Sequence, residues 1–317
     1  MSSHGAVQRK LETAASLGNL VTTMKGLASV RVHQYRRTMQ ALDASTETLD
    51  LAARALLHRH PELAAAQARV EPGMTTIVFG SDRGLCGAFN DRMARFAIGD
   101  LRETAVEGAP VQVLAVGRRV ARRLRLSGRM PDGRLSAPSS LDTVEVAVAE
   151  LLDAIDVYRR AGPDHTMRLV YARPVGSTRF EPCAEQVLPV DSGWMRELKG
   201  LPWVTRKLPM ELSDPQKLLR GLIGQRMALA IVRAFGSSLA AENAARLAAM
   251  EAASHNVEER LARLRARHQA ARQAAVTAEL LDIQSAAAAL EDPDDQEDVD
   301  RDQEDADRDE APFAGPL

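Results

Sequence analysis

Two cysteines, Cys86 and Cys183, are all that 317 residues contain. That is too few for a disulfide framework, and because residues 1–10 lack the apolar stretch of a secretory signal, both thiols are expected to be reduced. No run approaches the ~18 uncharged apolar residues that cross a bilayer, so neither a membrane span nor export is expected and the default compartment is cytoplasmic. No complete phosphate-binding fingerprint is present: the one candidate loop has no Lys-Ser/Thr pair and no third glycine in dinucleotide spacing. The seven histidines are scattered, and His58 with His60 is too poor a set for a metal site. Arg118, Arg119, Arg122, Arg123 and Arg125 lack interleaved aromatics, which favours a solvated face or an acidic protein partner over nucleic acid.

What the chain does have is helix. Residues 210–290 form one helical pattern of 81 residues, interrupted only by Pro215 where a first turn can hold it. At 1.5 Å per residue that is roughly 120 Å, longer than a small domain can enclose. Leu247, Met250, Ser254, Val257, Leu261, Leu264, His268, Ala271 and Ala275 step by three and four, the seam of a coiled coil, and require a partner helix. Nineteen alanines between residues 240 and 290 make the rod strongly helix-forming and thin.

Residues 5–58 read as a second long helix, ended by Pro61. Its seam is Met24, Ala28, Arg31, Tyr35, Thr38, Leu42, Ser45, Leu49, Ala52 and Leu56, whose small and polar members suit an Ala-rich partner. The two terminal helices can pair as an antiparallel coiled coil; the alternative is two unrelated amphipathic helices packed on the middle of the chain. That middle alternates strands and helices. Strands are expected at 74–80, 111–116, 167–172 and 180–190, with helices at 88–106, 117–126 and 141–160. The expected fold is therefore α/β with long helices, a Rossmann-like α/β domain inserted between the two halves of a coiled coil. Its segments are an N-terminal helix (1–60), a central domain (72–190), an unassigned connector (191–209), a C-terminal helix (210–290) and a tail (291–317). The tail carries 13 acids against Arg301 and Arg308, a net −11, which with a chain total of −2 leaves +9 for residues 1–290. With so little apolar content the tail is expected to be disordered.

The loop Ser81, Asp82, Arg83, Gly84, Leu85, Cys86 and Gly87 lies between a strand and a helix. Three roles stay open for it: a phosphate cradle at a helix N-terminus, an activated Cys86 thiolate beside Arg83, and a tight structural turn.

Three blocks together resemble the γ subunit of F-type ATP synthases. Residues 76–90, Thr-Ile-Val-Phe-Gly-Ser-Asp-Arg-Gly-Leu-Cys-Gly-Ala-Phe-Asn, are similar to that family's strand and signature turn. Residues 242–251 and 271–280 are similar to its two C-terminal helical signatures, and Thr23, Met24 and Lys25 are a looser match near the N-terminus. The resemblance implies a central rotor shaft turning inside a ring of α and β subunits, three of each per γ, with the α/β domain forming a foot beside ε and the membrane c-ring. It implies a peripheral place on the cytoplasmic face of a bacterial inner membrane, ATP chemistry on α and β, and a γ chain that holds no cofactor or metal and performs no catalysis. Met24, Lys25 and Arg246 are then expected near the moving contact with β, and Arg272, Gln273, Thr277 and Glu279 where the shaft touches a loop of β. The chain departs from the family's pattern at residues 284–290, which lack the usual glycines, and in carrying a long acidic tail; this suggests a divergent, sodium-type branch. The coupling ion, H⁺ or Na⁺, is set by ligands in the membrane ring. A nucleotide-binding or thiol enzyme built on residues 81–87 and a passive coiled-coil scaffold are the competing classes.

Overall fold

The structure, a computed structural model, describes residues 3–64, 73–160, 166–190, 192–203, 205 and 207–291. The expected disorder of the tail falls on 292–317, outside the described residues. The chain divides into two compact units, Met1–Gly18 with Asn256–Leu317 and Asn19–His255. Two helices run through both: α1 (Ser3–Arg59) and α6 (Pro215–Glu291).

Within the larger unit, β1 (Met74–Phe79), β2 (Val111–Val116), β3 (Gly133–Leu135), β4 (Thr166–Val175) and β5 (Arg179–Leu188) form one sheet in the order β3-β2-β1-β4-β5. All pairings are parallel except β4 with β5. Every residue of β1 is buried, as its unbroken apolar and Thr-rich run requires of a central parallel strand covered on both faces. One cover is α2 (Phe89–Thr104) with α3 (Arg118–Leu126), whose Phe89, Met93, Ala97, Val120 and Leu124 meet Met74, Val78 and Val113. The other is α4 (Val144–Arg160) with α6: Val148, Leu151 and Ile155 join Ile231, Phe235 and Leu239 over Ile77, Phe79, Leu114 and Leu169. Phe235 meets Phe79 edge to face, centroids 4.9 Å apart, a geometry aromatic quadrupoles favour. Arg168 of β4 fastens α2 from below, donating from Nε and Nη2 to the two oxygens of Asp100 at 3.0 and 2.6 Å.

Also in this unit, α1 and α6 lie antiparallel. Lys25 faces Glu251 at 3.8 Å, Asp43 accepts from Arg233 at 3.1 Å, and Asp50 accepts from Arg226 at 2.9 Å, so partners fall along α6 as they rise along α1. The inserted α/β domain and the antiparallel terminal helices are as expected.

Four local expectations shift. The C-terminal helix starts at Pro215, five residues later than the periodicity suggests, because Asp214 caps it: its Oδ1 accepts the Lys217 N–H at 2.9 Å. Residues 192–200 of the unassigned connector form a short helix, α5 (Ser192–Gly200), whose Met195 and Leu198 pack on Ala53, Leu56 and Leu57 of α1 and Leu219 of α6. A three-residue edge strand, β3, lies inside the loop after α3. The seam of α1 is also displaced near its end. Ser45 and Ala52 are exposed while Thr46 and Ala53 turn inward, because a helix of 3.6 residues per turn drifts by about 20° per heptad from a strict four-three pattern.

The seam of α6 is buried or half-buried from Leu247 to Ala271, and every described side chain from Arg272 to Ala288 is exposed. In the smaller unit, the bare face of Gly18 gives room to Val257, whose Cγ1 would lie 3.4 Å from a Cβ there.

Candidate functional site

The residues between β1 and α2 are tied down by their own side chains. Asn90, in the first turn of α2, accepts the Ser81 N–H at 3.0 Å and donates to Ser81 Oγ at 2.8 Å. Ser81 Oγ donates onward to the Arg83 carbonyl at 2.9 Å. Asp82 spans to the neighbouring strand ends, accepting the Arg118 N–H at 2.6 Å on one oxygen and the Ala137 N–H at 3.1 Å on the other. The close approach demands glycine at two places. A Cβ on Gly80 would collide with Val120, and one on Gly117, whose φ is 112°, would lie 2.9 Å from the backbone nitrogen of Ser81. Leu85 takes a left-handed φ of 62° and leaves its side chain exposed.

This geometry does not favour the enzymatic readings of the turn. The Ser81 N–H is spent on Asn90 and the Phe89 N–H on the Cys86 carbonyl, both within the turn, so these donors are not presented to a phosphate. Cys86 is buried, and burial pushes its thiol pKa up; a reactive thiolate needs the reverse.

Against the turn lies a polar segment of α6. Glu242, Asn243 and Arg246 are all buried. Arg246 donates to Glu242 Oε1 at 2.6 Å, to Asn243 Oδ1 at 3.3 Å and to the Gly84 carbonyl at 3.3 Å. Burial raises the Glu242 carboxyl pKa, and Arg246 opposes that rise. The same groups surround Tyr35 of α1, a buried phenol whose pKa burial raises while Arg31 pulls it down. Between turn and helix is a half-open cleft of about 220 Å³, lined among others by Arg31, Asp82, Arg83, Arg118, Glu242 and Arg246.

The seven expected contact residues divide accordingly. Arg246 is an internal clamp between α6 and the signature turn, a connection no sequence spacing announced. Met24 is half-buried, and Lys25 is half-exposed opposite Glu251. In the smaller unit Arg272, Gln273, Thr277 and Glu279 are all exposed, with the Thr277 hydroxyl donating to the Gln273 carbonyl at 2.9 Å. Sequence reasoning gave no role to Asn90, Glu242 or Asn243. The i, i+4 spacing of Glu242 and Arg246 was the available signal. Among the described residues no cluster of His, Cys, Asp and Glu could hold a metal ion, and no helix is long and apolar enough to cross a membrane.

Comparison with known proteins gives a single pattern. Residues 3–290 match the family model described as ATP synthase. The chain is 28% identical over 291 residues to the ATP synthase gamma chain of Syntrophus aciditrophicus, covering 90% of this chain and 97% of that one. It is 31% identical over 310 residues to the ATP synthase gamma chain of Granulibacter bethesdensis, covering 92% and 100%. In fold it resembles a chain from the Euglena gracilis mitochondrial ATP synthase, OSCP/F1/c-ring, in rotational state 3, with a TM-score of 0.61 at 20% identity, over 91% of this chain and 94% of that one. A chain of the Tetrahymena thermophila mitochondrial ATP synthase central stalk and c-ring gives a TM-score of 0.53 at 16% identity, over 74% and 99%.

Proposed function

We propose, from the premise that this chain belongs to the ATP synthase gamma-chain family, that it is the non-catalytic central-stalk subunit of a rotary ion-translocating ATP synthase. It turns within a ring of three α and three β subunits and couples ion flow, H⁺ or Na⁺, to ATP synthesis or hydrolysis on α and β. Its foot, the α/β domain, stands with ε over the membrane c-ring, on the cytoplasmic face of the inner membrane. The observation that carries this reading is the family match over residues 3–290. The bared end of α6 supports it, since every described side chain from 272 to 288 is exposed and available to a surrounding partner.

In this reading Arg272, Gln273, Thr277 and Glu279 meet β from the exposed end of α6, and Met24 with Lys25 does so from α1. Arg246 acts one step back: it fixes the signature turn on α6 so that shaft and foot turn together. The domain limits 1–60, 72–190, 191–209, 210–290 and 291–317 follow the same division into shaft, foot, connector, shaft and tail.

Co-expression of the full chain with α and β tests the proposal. A complex with three α and three β per chain, ATP turnover only in that complex, and rotation of a bead fixed to the chain are the expected results. Failure to assemble with α and β, or turnover by the isolated chain, would overturn it.

A further inference from the structure

The sheet order β3-β2-β1-β4-β5 places the chain reversal between β1 and β4: β1 feeds β2 and β3 on one side while β4 joins on the other. In open α/β sheets ligands bind in the crevice outside the carboxyl ends of the strands; the cleft sits beside the reversal, over the ends of β1, β2 and β3. Here the carboxyl ends of β1, β2 and β3 lead into Asp82 and Arg83, Arg118, and Ala137 to Ser139, all of which line the 220 Å³ cleft. Helix α6 fills part of the crevice with Leu239, Glu242, Asn243 and Arg246. At about 30 Å³ per water, what is left holds on the order of seven waters, enough for a five-heavy-atom oxyanion and part of its hydration shell.

The charges in the cleft do not balance. Four guanidiniums, Arg31, Arg83, Arg118 and Arg246, face two carboxylates, Asp82 and Glu242. Glu242 is committed to Arg246. Asp82 accepts from the backbone of Arg118 and Ala137 and lies 3.5 Å from Arg118 Nε. The side chains of Arg31, half-buried, and Arg83 make no hydrogen bond or ion pair among the described residues. Arg31 and Arg83 therefore bring two positive charges to the lining of a partly enclosed space, Arg83 acting at longer range on Glu242. A guanidinium fork is suited to paired oxygens of a phosphate-like group, and a dianion matches both charges where chloride or a single carboxylate matches one.

We propose that this crevice binds a small doubly charged oxyanion of the phosphate class, held by Arg31 of α1 and Arg83 of the turn over the Arg246–Glu242 pair. The ligand is gripped by side chains from separate elements, and it bridges α1 to the turn. This goes beyond the stalk assignment and does not depend on it.

Titration of the isolated full chain with inorganic phosphate at low ionic strength, followed by ³¹P linewidth and calorimetry, tests it. Saturable one-to-one binding is expected, displaced by sulfate and not by equimolar acetate. Arg31→Gln and Arg83→Gln should each weaken it at least tenfold, with Arg125→Gln, on the exposed face of α3 outside the cleft, unchanged. Arg83 is exposed, so its variant keeps the test valid if Arg31→Gln fails to fold. ADP binding tighter than phosphate, and equally lost in Arg83→Gln, would support the site and identify a nucleotide's phosphates as the source. Absence of saturable phosphate and ADP binding, or binding that survives both substitutions, would overturn the proposal. Since no α or β subunit takes part, neither result bears on the stalk assignment.

Discussion

Arg246 and Glu242 hold each other at 2.6 Å one helical turn apart on α6, each exposing less than a tenth of its side chain. The same guanidinium reaches the Gly84 carbonyl at 3.3 Å, 162 residues away in sequence, so one buried ion pair joins the C-terminal helix to the signature turn. Removing one member of such a pair strands the other without water. Arg246→Ala is expected to destabilise the protein by roughly 3–5 kcal/mol, while Glu242→Gln with Arg246→Gln should be far milder than the sum of the single changes. The pH dependence has a definite sign. Burial raises the Glu242 pKa, so stability tied to its protonated form is present at low pH and is lost as pH rises through the folded-state value. Without Arg246 the rise is larger, and urea melts of Arg246→Ala should show a greater deficit at pH 8 than at pH 5. A deficit independent of pH would place the loss in packing instead.

The two thiols should separate kinetically. Cys86 is 3% exposed and its pKa is raised chiefly by burial, whereas Cys183 on β5 is half-buried. In native protein an aromatic disulfide reagent should titrate one thiol quickly and the second only after denaturation, with Cys183→Ser abolishing the fast phase. A fast phase that survives in Cys183→Ser would mean the turn opens, and would revive a reactive role for Cys86.

The first helix also carries a small titrating contact. His60 lies with Nε2 at 2.9 Å from Glu211 and Nδ1 at 3.2 Å from Glu62, while Arg59 approaches the second Glu211 oxygen at 2.5 Å. The hydrogen bond to Glu211 is the main reason the His60 pKa is raised above 6.5, and the hydrogen bond from His60 the main reason the Glu211 pKa is lowered from 4.5. For the raised histidine, the contribution is complete below 6.5 and fades as pH climbs through the folded value; for the lowered carboxylate, it is complete above 4.5 and fades as pH falls through its folded value. The contact is therefore whole between about 4.5 and 6.5. Imidazole resonances of His60 should titrate above the ordinary value and return toward it in Glu211→Gln. An unchanged midpoint in that variant would remove Glu211 as the cause.

How much of this was legible in the sequence depends on the range of the interactions. Period and propensity are local, so the buried run of β1, the apolar face of α4 and the α6 seam through Ala271 could be read directly. The four-three rule failed where it was extended too far: Ser45 and Ala52 lie one residue off the inward stripe that Thr46 and Ala53 occupy, the drift of a 3.6-residue turn. Helix α5 was hidden because its order comes from elsewhere. The Trp194 indole donates to Asp50 of α1 at 3.2 Å and lies under the Arg226 guanidinium, 4.3 Å from the ring centroid, contacts that no local pattern records. The same holds at the turn. Its residues, Asn90 included, were recognisable as a block, but the other partners that pin it, Arg118, Ala137 and Arg246, come from three distant places in the chain.

Arg272 and Gln273 present adjacent hydrogen-bonding groups on a stretch of α6 where every described side chain from 272 to 288 is exposed. In the proposed stalk reading, a bulky knob on this helix would have to be forced past each face of a surrounding ring, so torque would be better carried by a few polar contacts. Each hydrogen bond to a charged group is worth about 1.5–3 kcal/mol, on the order of tenfold or more in an equilibrium. Arg272→Ala with Gln273→Ala should therefore lower ATP turnover or its coupling to ion flow in the reconstituted complex. The circular dichroism and melting of the isolated chain should not change, because these side chains are exposed. Thr277→Val is the internal comparison: its hydroxyl is already satisfied by the Gln273 carbonyl within the helix, so its loss should matter less than loss of the Arg272–Gln273 pair. Turnover and pumping that are unchanged in the double variant would remove these two residues from the path of torque. The contact with β would then fall to the apolar side chains beside them, Val276, Leu280 and Ile283, which are 50%, 57% and 61% exposed.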